Sequence, residues 1–63
     1  MTREEAIAII EMWIQEHSRF AAQVVNATWD AQGLWVIEAE CSEVVWRQTV
    51  SPTGEVSVPL LLN

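Results

Sequence analysis

His17 and Cys41 are the side chains of this sequence best suited to move a proton, attack an electrophile or hold a soft metal. Their number limits them. A closed zinc site takes four ligands, and one histidine with one cysteine falls short. A cysteine nucleophile needs a base oriented by a third group, and the single histidine lies on a different element. His17 falls near the middle of an apolar helical arc, so it reads as a core or core-edge residue bonded to backbone, with a pH switch as its functional alternative. Cys41 stands beside a turn and reads as a small, buried or half-buried, inert residue. The nine carboxylates are scattered. Glu4, Glu5, Glu11 and Glu16 lie on the first element, Asp30 and Glu55 at turns, and Glu38, Glu40 and Glu43 around a central hairpin. Helix and turn positions suit capping and solubility. A glycosidase-type carboxylate pair would need a cleft that a small open sheet does not supply. Glu38, Glu40 and Glu43, with Arg47 as their nearby counter-charge, read as a solvated face, with an acidic recognition edge as the alternative. No enzyme, cofactor or metal site is expected.

The composition narrows the partners. A net charge of −6, with three arginines and no lysine, lacks the basic stripe that phosphate contacts require, so no nucleic acid is expected. No apolar run reaches the roughly 18 residues of a membrane span. Thr2-Arg3-Glu4-Glu5 stands where a secretory signal would carry basic residues, and one free cysteine suits a reducing compartment, so a cytoplasmic setting is expected. A secreted or envelope setting stays open if a leader has been removed. Sixty-three residues make one domain. A chain of this size buries roughly 60% of its unfolded surface, so the core must be dense or completed by another subunit.

These side chains must be positioned by a helix and a sheet. Thr2 and Glu5 form a capping box. Beyond it, Ala6, Ile7, Ile9, Ile10, Trp13, Ile14, Phe20 and Ala21 fall on one arc of about 160°, which predicts an amphipathic helix over 3–20. From there the pattern changes to β-branched and aromatic residues at period 2. Asp30-Ala31-Gln32-Gly33 and Ser51-Pro52-Thr53-Gly54 each start with a turn-favouring Asp or Ser and end in glycine, as type I turns with a left-handed fourth residue do. With a shorter turn at Cys41-Ser42, strands are predicted at 23–30, 34–40, 43–50 and 55–61. The fold class is α+β: one N-terminal helix packed on a four-stranded antiparallel meander.

Pairing across the turns assigns the faces. The first hairpin sets Trp29 opposite Trp35, Ala27 opposite Ile37 and Val25 opposite Ala39. The second sets Ile37 opposite Trp46 and Ala39 opposite Val44, and leaves Glu40 facing Glu43, a like-charge conflict. The third sets Val50 opposite Val56, Gln48 opposite Val58 and Trp46 opposite Leu60. Trp13, Trp29, Trp35 and Trp46 all fall on the helix side and are expected to form the core, an exposed one reading as a contact residue. The outer face carries Val24, Leu34, Val36, Val45 and Leu61 with Glu38 and Arg47 among its polar residues. A face so apolar suggests a partner or a second copy. Pro59 marks the last strand as an edge. The expectation is a homodimer, by face-to-face sheet packing first and edge pairing second.

Helix Glu4-Glu5-Ala6-Ile7 and the terminal hairpin turn Thr53-Gly54-Glu55-Val56 resemble the PepSY domain over nearly the whole chain. The resemblance implies a non-enzymatic unit of the kind found in protease propeptides and cell-envelope proteins, binding or inhibiting protein partners. The residues by themselves lead to a non-catalytic protein-interaction module, inhibitor-like or regulatory, acting through the outer face or edge. The alternative is an acidic nucleic-acid mimic that occupies a basic protein surface.

Overall fold

A computed structural model describes residues 1–18 and 21–63. Helix α1 runs Arg3–His17 and opens as its capping box requires. Thr2 Oγ1 accepts from the Glu5 N–H at 3.2 Å, and the Thr2 N–H donates to Glu5 Oε1 at 2.9 Å. The helix ends three residues earlier than the apolar arc predicts. Ser18 is extended at φ −132°, its N–H closing the last turn on the Ile14 carbonyl. Ala21 therefore lies off the helix and is exposed, and Phe20 lies outside the described residues.

Four strands follow as a meander: β1 Gln23–Trp29, β2 Trp35–Cys41, β3 Val44–Val50 and β4 Leu60–Leu61, each antiparallel to its neighbour. Both glycine-ended turns form. Gly33 and Gly54 sit at φ 88° and 89°, and each N–H returns to the first residue of its turn at 2.9 Å. The fold class is the one the sequence predicts, α+β with one helix on a four-stranded antiparallel sheet.

Registers depart from expectation at three places. The middle hairpin turns at Ser42-Glu43, pairing Cys41 with Val44, Ile37 with Gln48 and Ala39 with Trp46. Moving the loop by one residue shifts the register by two, so every side chain keeps its face. Ser42 takes the positive φ of 57°, and Glu40 now faces Val45, which removes the clash with Glu43. In β1 a bulge between Val24 and Asn26 pairs Val24, not Val25, with Ala39. Val24 packs against the core and Val25 is exposed. At the far edge the expected 55–61 strand is broken: Val56 bridges to Val50, then β4 rejoins one residue out of step, with Leu61 beside Trp46 and Leu60 beside Arg47. Pro59, which has no N–H to offer a ladder, sits at that break.

The core is aliphatic and small: Ala6, Ile10 and Ile14 of α1 over Ala27, Ile37, Ala39 and Val50 of the sheet. The tryptophans do not form it. Trp13, Trp35 and Trp46 are half-buried around its rim, and Trp29 is 56% exposed. The buried positions between helix and sheet are filled by alanine, isoleucine and valine, and the larger indoles pack around them.

Candidate interaction site

The residues singled out for chemistry are not assembled into a reaction centre. His17 is exposed, its ring stacked on Trp13 at 4.2 Å with 10° between planes, and its Nδ1 donates to the Trp13 carbonyl at 2.9 Å. The backbone bond is the one expected; the burial is not, because His17 is the last residue of the helix, beyond Ile14, the last one that the sheet buries. Cys41 is half-buried beside an open hollow of about 220 Å³ that it shares with Ala22, Gln23 and Glu40. Among the described residues no three of His, Cys, Asp and Glu come together as metal ligands would. The Glu5 carboxyl is held below its ordinary 4.5, first by the Thr2 backbone N–H and then by the Thr2 hydroxyl. Among the described residues no helix is long and apolar enough to cross a membrane.

The outer face of the sheet is organised around Glu38. Arg47 of β3 donates to its Oε2 at 3.1 Å, and Asn26 of β1 to its Oε1 at 3.5 Å. Together with Leu60, these residues form a row across all four strands. Of the residues assigned to this face, Leu34, Val36, Glu38, Val45 and Arg47 remain, the first four of them half-buried. Val24 and Leu61 do not: the bulge turns Val24 inward, and the slip at β4 aligns Leu61 with Trp46 on the helix side. Leu60 takes the place of Leu61, and Leu62 follows two residues on, its N–H donating to the Val45 carbonyl. Leu60 is 60% and Leu62 39% exposed, so a small apolar corner forms with Val45 beside the neutralised Glu38–Arg47 pair.

The terminal arm is held largely by side chains that stand in for backbone. Thr49 N–H donates to Ser57 Oγ at 2.8 Å, and the Ser57 carbonyl accepts from Gln48 Nε2 at 3.0 Å. Gln48, 1% exposed, also accepts from Trp46 Nε1 at 2.9 Å. Past Pro59, Asn63 acts as a detached peptide unit: its Oδ1 accepts from Val45 N–H at 3.0 Å and its Nδ2 donates to the Glu43 carbonyl at 2.6 Å. These substitutions fix the arm, and they leave its apolar side chains facing water.

On the helix side the sheet is covered unevenly. Helix α1 packs across β1, β2 and β3 and, among the described residues, makes no contact with β4. A helix is about 10 Å across and strands lie about 4.8 Å apart, so one helix cannot cover four strands. The uncovered strip opens as a groove of about 270 Å³ between α1 and the terminal arm, lined by Ile9, Met12, Trp13, Glu16 and Val56. The helical members stand at i, i+3, i+4 and i+7, a second stripe beside the one that faces the core. Met12 was not part of the predicted arc. The signal for it is the arc's width of about 160°, broader than packing on one sheet requires. Toward the other edge of the sheet, in the cross-strand row that ends at Val56, Trp29 meets Trp35 edge to face at 5.2 Å, and Trp35 Nε1 donates to the Met1 carbonyl.

Comparison of the chain with protein-family models, with curated proteins and with solved structures yields no match. The fold and its surfaces therefore define the class, a small α+β unit with partly uncovered apolar faces, and function is argued from those surfaces.

Proposed function

We propose that this chain is a non-catalytic protein-interaction module, inhibitor-like or regulatory, that forms a homodimer through the outer face of its sheet. The observation that carries this reading is the apolar corner of Val45, Leu60 and Leu62 beside the Glu38–Arg47 pair. Two copies of a chain with net charge −6 repel each other, and they repel least where the central carboxylate is already paired. Exposed leucines next to the Glu38–Arg47 pair favour self-packing of two sheets on this face, where Glu40, opposite Val45, is a further carboxylate. Edge pairing is the weaker route, because the bulge disrupts β1 and β4, which follows Pro59, is only two residues long. The PepSY resemblance supports the same class of function. An acidic nucleic-acid mimic is less favoured, since its carboxylates would have to line one side, whereas here they are spread over helix, turns and strands. The single free Cys41 suits a reducing, cytoplasmic setting.

Sedimentation equilibrium at micromolar concentration tests the dimer. Wild type should sediment as a dimer, and Leu60→Ser with Leu62→Ser should dissociate it without loss of the folded circular-dichroism spectrum. A wild-type species of 7.1 kDa overturns self-association.

A further inference from the structure

The groove beside α1 is built for a different occupant. We infer that it receives an amphipathic helix from another protein, with apolar anchors toward Met12 and Val56 and basic residues along its flanks. This rests on the interaction-module reading and names a partner for it, on the face opposite the one assigned to self-association.

Three observations carry it. The first is geometric. The strip left bare lies beside α1, on the β3–β4 side of the sheet: Met12 in its wall is 60% exposed, and Leu61, 64% exposed, is paired with the half-buried Trp46 on the same side of the sheet. A second helix laid there would complete the two-layer packing that α1 completes on β1 to β3. The second is the helix itself, whose side stripe of Ile9, Met12 and Trp13 continues the apolar surface away from the core, as the wall of a helix-binding groove does. Methionine in such a wall adapts to the anchors it meets.

The third is charge. Glu16 is part of the lining, and by helical phase the exposed Glu5 stands on the same side of α1, in a chain of net charge −6. Neither described arginine offsets them: Arg3 donates to the Ala27 carbonyl, and Arg47 is paired with Glu38 on the other face. The α1 of a second copy would set its own Glu5 and Glu16, which border the same stripe, against Glu16, so self-occupancy is disfavoured. A helix flanked by lysine or arginine is attracted.

The test is an NMR titration of the full chain with three synthetic peptides of about 18 residues, long enough to hold a helix. One places leucine at i, i+3, i+4 and i+7 with lysine elsewhere. The second replaces each lysine with glutamate, and the third scatters the leucines around the helix. The leucine–lysine peptide should bind saturably and shift the side-chain signals of Ile9, Met12 and Val56 and the indole N–H of Trp13, the other two binding about tenfold more weakly or worse. Met12→Lys, at an exposed position, should weaken binding by about tenfold with the melting temperature unchanged, and Glu16→Lys should do likewise. Equal binding of the glutamate or scattered peptide, or shifts confined to Val36, Val45 and Leu60, would overturn the assignment. So would a dimer that Met12→Lys dissociates, since the occupant would then be a second copy. A wild-type monomer that binds the leucine–lysine peptide in this groove would remove the outer-face dimer and leave the groove assignment standing.

Discussion

The three strands beneath α1 and the arm that follows Val50 are built on different principles. Under the helix, β1, β2 and β3 pair through long backbone ladders, and the buried apolar residues between the layers are aliphatic, with indoles around their rim. In the arm, the ladder is reduced to one bridge at Val56 and two residues at Leu60–Leu61, and Gln48, Ser57 and Asn63 supply the missing hydrogen bonds from side chains. The first region is stabilised by burying apolar groups and the second by satisfying polar ones. That difference explains why the exposed valine and leucine side chains concentrate in the arm, as Val58, Leu60, Leu61 and Leu62, where no layer covers them, while the three strands beneath the helix expose only Val25 and Val44.

The comparison breaks most decisively in the core. Ile10 is fully buried at the centre of the helix–sheet contact, so Ile10→Ala should cost about 2–5 kcal/mol. In so small a domain that is a large part of the total stability. Thermal or urea unfolding should find the variant largely unfolded at room temperature; a midpoint close to wild type would mean that the helix is not held by this contact.

A smaller and more local loss is expected at Gln48. Gln48→Leu keeps the volume but strands the Trp46 N–H and the Ser57 carbonyl, at about 1–3 kcal/mol. Hydrogen exchange should then show protection lost at Ser57 and Leu62 while amides of the β1–β2 ladder keep theirs. Uniform loss across both regions would show that arm and core unfold as one unit.

Gly54 joins the two regions at the tip of the last hairpin. Its φ of 89° strains any side chain, although an added Cβ would meet Ile9 Cδ1 at an ordinary 4.0 Å. Gly54→Val should therefore cost on the order of 1 kcal/mol or more through backbone conformation rather than collision. An unchanged melting temperature would contradict the left-handed turn.

The smallest effect is electrostatic and sits at the helix start. The folded Glu5 carboxyl titrates below its ordinary 4.5, so its stabilising contribution is present above that value and is lost as pH falls through the lower folded one. Wild type should exceed Glu5→Gln in urea midpoint at neutral pH, and the two should converge in acid. Equal midpoints at neutral pH would show that the capping carboxylate adds nothing.

Much of the architecture can be read in the sequence, because it depends on local geometry. Thr2 with Glu5 starts a helix through bonds closed within one turn, and Asp30 with Gly33 and Ser51 with Gly54 reverse the chain wherever they are placed. Alternation through β2 and β3 survives a misplaced turn because the error is an even number of residues. Val24 and Leu61 were assigned to the wrong face because a bulge and a broken edge each insert one residue, which inverts every assignment beyond it until the next correction. Trp29 and His17 were expected in the core by residue type and by helical phase. Neither criterion registers that the helix ends at His17 or that small aliphatic residues fill the contact between helix and sheet.

The groove marks the boundary between the two kinds of information. From sequence alone come one helix, four strand segments, an acidic surface and an apolar arc too wide for a single sheet contact. Which part of that arc meets β1 to β3 and which part stays open beside Val56 is decided by the tertiary structure. A helix of fixed diameter can cover only part of a sheet whose width is set by hydrogen-bond spacing, and where it comes to rest depends on packing Ala6, Ile10 and Ile14 over Ala27, Ile37, Ala39 and Val50.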